Sequence, residues 1–245
     1  MEYFKSFNDI PYRFGQEEST VFIQDLTSYV DIIDQVKDDI ATYQKGYIRE
    51  GQRPDQLSFE LYGTTIYHWT FYLLNDHLRE QGWPLTNVEL EATVKERFSH
   101  TVLTTRQYMF DKFKVGQTVQ GSVSGAEGII RHRDLNFGLI HIDKTNTQTF
   151  RPGETVTSQF GLGDDAVTQS LVILSETEEY NAPHHYLQNN RITDIDPTVG
   201  PGALQTEVTN FEWYRDENEK LRDIKVVRPN IIENLAAAFK QAISA

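Results

Sequence analysis

Residues 43–85, YQKGYIREGQRPDQLSFELYGTTIYHWTFYLLNDHLREQGWPL, carry the clearest secondary-structure pattern in the chain. The first residues of this stretch are typical of a short strand. Pro54 then begins a helix, because the missing N–H of proline costs nothing at the first helical position, and Gly63 is expected to end that helix in the left-handed conformation. A second helix from Ile66 to Leu74 has apolar side chains on two faces, so both faces need cover. The turn at 82–85 leads into an extended segment, and the predicted order is strand, helix, helix, strand.

The segments on either side of this stretch are less regular. Residues 1–26 have scattered apolar side chains and no period, which indicates an N-terminal arm that docks on another surface. A helix is predicted over 28–42 from the helical spacing of its apolar residues, and together with the arm it forms a first region, 1–42. A further helix over 87–98 follows the central stretch, and the two form a second region, 43–112.

The composition changes after residue 112. Residues 116–163 hold 8 of the 15 glycines, and short runs of alternating apolar and polar residues lie between them. Such runs bounded by glycine predict a small antiparallel barrel or sandwich, which we place at 113–178 as an inserted all-β module. Residues 179–210 contain several prolines and glycines and no period, and they are predicted to be an extended linker.

The C-terminal region, 211–245, is predicted to contain a strand over 221–228 and a helix that begins at Pro229. The helix repeats apolar residues on one face, and Glu233 and Lys240 are its only charged side chains. We expect this apolar helix to lie in the groove of a partner protein, with packing on its own core as the alternative. The predicted fold class is therefore α+β, with an extended arm and a linker.

The 245-residue chain has a net charge of −13 and no cysteine. The absence of cysteine excludes disulfides, thiolate metal sites, iron–sulfur clusters and a cysteine nucleophile. The acidic balance argues against a nucleic-acid partner, which normally requires a basic surface, and against binding to anionic membranes. No apolar run has the length of a membrane span, and Met1 is not followed by the basic and apolar segments of a secretory signal.

The sequence contains no recognisable motif for phosphate, dinucleotide, zinc-protease or serine-hydrolase chemistry. The neighbouring His184 and His185 lie in a segment expected to be extended, where successive side chains point to opposite faces, so they are predicted not to share a metal ion. Asp194 and Asp196 lack the further ligands of a calcium loop. We predict a non-enzymatic protein without a cofactor or metal. A pair of distant carboxylates acting on glycans is the alternative that the sequence leaves open.

Two segments together resemble the baseplate wedge protein 53 family of contractile-tailed, T-even-type phages. The first is RPDQLSFELYG at 53–63, followed by YHW at 67–69, LLND at 73–76 and GW at 82–83. The second is ENEKLRDIKVV at 217–227. The order and spacing of the two segments also match, and the matched stretches span 43–87 and 211–240.

The first segment is also similar to a LysM module, a strand–helix–helix–strand unit that often binds peptidoglycan or chitin. The wedge family is described as carrying a LysM-like domain, so the two resemblances agree. The aromatic side chains of the second helix, Tyr67, Trp69, Phe71 and Tyr72, are expected to be core residues, with a sugar-binding platform as the alternative. The inserted module resembles small β-modules that decorate other phage structural proteins.

The resemblance implies a structural subunit of the phage tail baseplate wedge that joins neighbouring wedge proteins until contraction rearranges the plate. It implies assembly in the host bacterial cytoplasm, residence in the virion, and no catalytic or cofactor-binding residue. The runner-up is a stand-alone LysM-type peptidoglycan-binding protein, and a tail-associated cell-wall hydrolase is a third class. The residues expected to fix the LysM-like unit are Tyr62, Gly63, Trp69, Asn75 and Trp83. Those expected to set the entry to the last strand and helix are Glu217, Asn218, Glu219, Lys220, Leu221 and Arg222.

Overall fold

The computed structural model describes residues 8–15, 20–24, 42–161 and 167–243. Nearly all of the helix predicted over 28–42, and parts of the predicted arm, lie outside the described residues. Helices and strands both contribute, which confirms the α+β class. The described chain forms two compact units. We call residues up to 87 together with residues from 217 the split unit, and residues 88–216 the inserted unit.

The elements are numbered in chain order. The described α-helices are α1 (Pro54–Tyr62), α2 (Trp69–Leu74), α3 (Asp76–Gln81), α4 (Asn87–Arg97), α5 (Asn210–Lys220) and α6 (Ile232–Ile243). The described strands are β1 (Asp9–Tyr12), β2 (Val21–Gln24), β3 (Tyr43–Tyr47), β4 (Thr101–Thr105), β5 (Thr118–Gly121), β6 (Glu127–Asp134), β7 (Leu139–Lys144), β8 (Thr155–Phe160), β9 (Val167–Glu178), β10 (Pro183–Gln188), β11 (Arg191–Thr193), β12 (Thr206–Thr209) and β13 (Asp223–Val227).

In the split unit, β3 pairs with β13 in an antiparallel sheet, with Tyr43 opposite Val227 and Tyr47 opposite Asp223. The prediction that an extended segment after the turn at 82–85 closes the unit is therefore wrong. Pro84 has no N–H to donate to a ladder, whereas β13 alternates buried and exposed side chains as a half-buried strand does. The predicted order strand, helix, helix, strand is also wrong in its number of helices, because α1, α2 and α3 all follow β3. Residues 88–216 then lie in sequence between these helices and the last strand.

A continuous apolar core holds the split unit together. Its fully buried members come from both parts of the unit, and they are Ile48, Leu57, Phe71, Leu78, Leu221, Ile224 and Val226. Helix α6 buries Ile232, Ala236 and Phe239, and the rings of Phe239 and Trp69 lie 4.8 Å apart. The expectation that α6 lies in a partner's groove is thus corrected: its apolar face packs on its own unit, because α2 leaves a face uncovered there.

The inserted unit contains a closed antiparallel barrel with the strand order β4-β7-β6-β5-β8-β9. The barrel alternative of the β-module prediction is confirmed, but the barrel begins at Thr101 rather than at residue 113, because β4 closes it between β7 and β9. The buried barrel core includes Leu103, Ile130, Ile140 and Phe150.

Residues 179–210 were predicted to be an extended linker, and this prediction is wrong. They form a three-stranded antiparallel sheet with the order β11-β10-β12. Tyr186 of this sheet is buried and packs edge-on against Phe137, with ring centroids 5.4 Å apart. Pro183 is tolerated because it is the first residue of β10, where its missing N–H matters least.

Helix α5 was not predicted. Its start carries the reciprocal hydrogen bonds of a capping box, in which the Thr209 N–H donates to Glu212 Oε2 over 3.0 Å and the Glu212 N–H donates to Thr209 Oγ1 over 3.2 Å. The Thr–x–x–Glu spacing at 209–212 is the sequence signal for this helix.

Candidate functional site

The residues singled out at 62–83 and at 217–222 all belong to the split unit. Most of them connect the segment 43–87 to the segment 217–243, and the contacts of each one show how the two segments become one unit.

Asn75 fastens the helices to the last strand. It is 3% exposed, and its Nδ2 donates to Phe71 O and to Lys225 O, each over 2.8 Å. The Lys225 N–H donates back to Asn75 Oδ1 over 2.8 Å. A single amide at the end of α2 therefore satisfies both backbone groups of a residue in β13.

Tyr62 and Gly63 close α1 against the same strand. The Tyr62 hydroxyl donates to Val227 O over 3.0 Å, and burial raises the pKa of Tyr62 to about 12, so that the ring remains a neutral donor. Gly63 has a φ of 72° and its N–H donates to Phe59 O over 2.8 Å, as a left-handed helix cap requires. Trp83 Nε1 donates to Gln52 O over 2.7 Å, which fixes the turn after α3.

Among the described residues of the split unit, Arg222 is the most buried charged group, with a side chain that is 4% exposed. Its guanidinium contacts Glu50, lies 2.9 Å from Glu219 through Nε, and donates to Ile48 O and Leu85 O over 3.4 Å. A buried guanidinium needs this many acceptors, since an unpaired buried charge is strongly unfavourable.

The remaining residues of the second segment support the same joint. Asn218 accepts a hydrogen bond from the Leu85 N–H over 2.8 Å and donates to Leu85 O over 3.0 Å. Glu219 also accepts a hydrogen bond from the Tyr47 hydroxyl over 2.6 Å. Glu217 and Lys220 form an ion pair over 2.5 Å on the surface, and Leu221 is buried in the core.

Two exposed surfaces lie elsewhere on the split unit. The hairpin of β1 and β2 places Ile10 opposite Ile23 and Tyr12 opposite Val21, which gives one apolar face. The exposed fractions of Tyr12 and Val21 are 47% and 45%. An isolated two-stranded hairpin with an exposed apolar face is marginally stable in water, so a covering surface would stabilise it.

A second surface of the split unit is an open cavity of about 480 Å³ beside the sheet. Lys45 and Lys225 lie directly opposite each other across β3 and β13 at this cavity, and Asp76, His77 and Asp223 also line it. His77 Nε2 is buried and has no hydrogen-bond partner among the described residues. The mixed charges of this cavity suit a polar segment of another molecule better than an apolar one.

In the inserted unit, carboxylates hold histidines on the outside of the barrel. Glu179 Oε1 lies 2.9 Å from His141 Nδ1, and Glu179 Oε2 accepts a hydrogen bond from the His100 N–H over 3.0 Å. Burial alone would raise the pKa of Glu179, but the hydrogen bonds from His141 and His100 outweigh it and hold that pKa below its ordinary value. Asp143 similarly binds Arg131 and His100, over 2.5 and 2.7 Å.

The neighbouring His184 and His185 were predicted to point apart, and the structure corrects this prediction. Their Nδ1 atoms lie 2.9 Å apart. Among the described residues there is no group of three or more His, Asp or Glu side chains placed to hold a metal ion. None of the described helices has the length and apolar character needed to cross a membrane.

No protein-family model matches the chain, and no curated protein shows significant sequence similarity to it.

Proposed function

We propose that this chain is a structural subunit of the baseplate wedge of a contractile phage tail, where it joins neighbouring wedge proteins. Its role is mechanical, and its split unit is a LysM-like module interrupted by the inserted unit. The resemblance of 43–87 and 211–240 to the wedge protein 53 family is the origin of the proposal. In this assignment the chain resides in the virion after assembly in the host bacterial cytoplasm.

One observation carries the proposal. The two resembling segments lie far apart in sequence, yet they complete one unit, in which Asn75, Asn218 and Arg222 join them. A chance resemblance of two separate segments has no reason to fall on the two halves of a single sheet and core. The antiparallel pairing of β3 with β13 beside helices also resembles a LysM module, although α1, α2 and α3 are one helix more than the two of that module.

The exposed surfaces of the split unit suit an assembly role. The apolar face of the β1–β2 hairpin is the surface that we assign to a neighbouring wedge protein. A subunit that is ordered by its neighbours can present such a face, because the assembly covers it. In this assignment the inserted unit is an additional domain of the same subunit within the baseplate.

Co-expression of the full-length chain with the other wedge proteins of its phage tests this assignment. We expect co-elution with at least one of them, and we expect Val21→Asp in the hairpin to abolish it. Val123→Asp is the matched control, because Val123 is 64% exposed on the inserted unit and the same charge is introduced there. A chain that remains monomeric beside every wedge protein of its phage would contradict the proposal.

The same preparation separates the proposal from peptidoglycan binding. A pulldown with purified peptidoglycan is expected to recover no more of the full-length chain than a resin control does. Saturable recovery that Val21→Asp leaves unchanged would favour a LysM-type glycan-binding protein instead. Lysis of cell walls by the purified chain would replace both assignments with a hydrolase.

A further inference from the structure

The histidine pair of β10 has a geometry that the sequence does not indicate. Between β10 and β12, Pro183 lies opposite Thr209 and His185 lies opposite Val208, so His184 is an extra residue in the ladder. This is a β-bulge, and a bulge changes the direction of a side chain relative to its neighbours. As a result the two imidazoles approach each other instead of pointing to opposite faces of the sheet.

The ring of His184 is held in place by an aromatic neighbour. It stacks on the indole of Trp213, with ring centroids 4.5 Å apart and planes 12° apart. Trp213 in turn packs edge-on against Tyr214, at 4.7 Å. Partial desolvation, and secondly the neighbouring His185, lower the pKa of His184.

The distance between the two nitrogens indicates the kind of ion that fits. Two imidazole nitrogens bound to one ion at about 2.05 Å stand about 2.9 Å apart at an angle of about 90° and about 3.3 Å apart at a tetrahedral angle. The Nδ1 atoms of His184 and His185 are 2.9 Å apart. They therefore match neighbouring positions of a square-planar or octahedral ion rather than those of tetrahedral zinc.

We propose that His184 and His185 chelate a divalent transition-metal ion, Cu²⁺ or Ni²⁺, through their two Nδ1 atoms. Tetragonal nitrogen coordination is typical of these ions. Before binding, the close nitrogens share one proton. Binding moves that proton to Nε2 of the same ring, so both rings coordinate in their neutral form and no net proton is released. The described residues supply no third grouped ligand, so water or a donor from another molecule completes the coordination.

Titration of the full-length protein with Cu²⁺, followed by electron paramagnetic resonance, tests the site. We expect one ion per chain with hyperfine splitting from two nitrogens. His184→Ala and His185→Ala should each weaken Cu²⁺ binding by about tenfold or more. Loss of a residue that only hydrogen-bonds to a metal ligand already lowers metal affinity by about tenfold or more, and these substitutions remove the ligand itself. Trp213→Leu keeps both nitrogens and removes the stack, so it should weaken binding less.

His132→Ala is the matched control. Its ring lies 5.2 Å from that of His141 on the barrel, so it also belongs to a histidine pair, but it lies on β6 and not at the bulge of β10. Binding that is unchanged in the His184→Ala and His185→Ala variants, or a signal from one nitrogen only, would overturn the proposal. Replacement by Co²⁺ checks the geometry separately: a weak six-coordinate visible spectrum is expected, and an intense tetrahedral spectrum would rule out the tetragonal assignment.

Discussion

Asn75→Ala tests the claim that one buried amide joins the two segments of the split unit. The substitution removes three hydrogen bonds, to Phe71 O, to Lys225 O and from the Lys225 N–H, at a position that is 3% exposed. At about 1 kcal/mol for each bond, the split unit should lose about 3 kcal/mol of its free energy of unfolding.

Hydrogen exchange of individual amides is the measurement that resolves this effect. A loss of about 3 kcal/mol corresponds to about a 100-fold decrease in protection for the amides of β3 and β13 that exchange through unfolding of the split unit. Gln81→Ala is the control, because Gln81 is an exposed amide on the adjacent helix α3. Unchanged protection at Lys225 in Asn75→Ala would refute the role that we give to Asn75.

Asn75→Asp provides a second, independent check of the same contact. It keeps the acceptor for the Lys225 N–H but turns a carboxylate oxygen toward two carbonyl oxygens. The neutral acid is favoured there, so the folded-state pKa of the new carboxyl should be raised above its unfolded value. The split unit should then be more stable at low pH and lose stability as the pH rises through that pKa. A variant whose stability has the same pH dependence as the parent chain would contradict this geometry.

Three further predictions concern the cores of the two units. Burial alone would raise the pKa of Glu154, but hydrogen bonds from the backbone outweigh it and hold that pKa below 4.5. The barrel should therefore lose stability as the pH falls through the lowered pKa. Glu154→Gln should cost about 2 kcal/mol at neutral pH and should flatten this acid dependence, as measured by unfolding followed by circular dichroism. Ser158 is buried, and its hydroxyl has no hydrogen-bond partner within the part of the chain that the structure describes. Ser158→Ala should therefore stabilise the barrel by about 1 kcal/mol in urea unfolding, and a loss of stability would show that the hydroxyl is satisfied. Phe239→Ala should destabilise the split unit by about 3 kcal/mol, measured by hydrogen exchange of the β3 and β13 amides, whereas Phe59→Ala, at a position 61% exposed, should have little effect.

The elements of the split unit could largely be predicted from sequence because their signals are local. Pro54 and Gly63 mark the ends of α1, and alternation of buried and exposed residues marks β13. The partner of β3 could not be predicted, since periodicity identifies a strand but does not say which distant strand it pairs with. The segment after the turn at 82–85 is closer to β3 in sequence than β13 is, and this short separation was the only reason to predict it as the partner of β3.

The features missed in the inserted unit have two different causes. Helix α5 has a local signal in the sequence, the capping-box spacing at 209–212, and could have been predicted from it. The approach of His184 to His185 had no such signal, because it depends on a one-residue register shift against β12 that only the folded sheet defines. The site residues at 62–83 and 217–222 were identified by resemblance, and their contacts show why both segments are needed in one chain.

The clamp of Asn218 on Leu85 has a consequence for how such a gene can change. It places the point where the chain leaves the split unit directly beside the point where it returns. An inserted domain whose two ends join the surrounding unit at neighbouring points can be replaced by another domain, or by a few linker residues, without a change in the backbone of that unit. During synthesis, the ribosome must release β13 before the sheet of β3 and β13 can form. All strands of the barrel are therefore available before the split unit can be completed, although the split unit begins earlier in the chain.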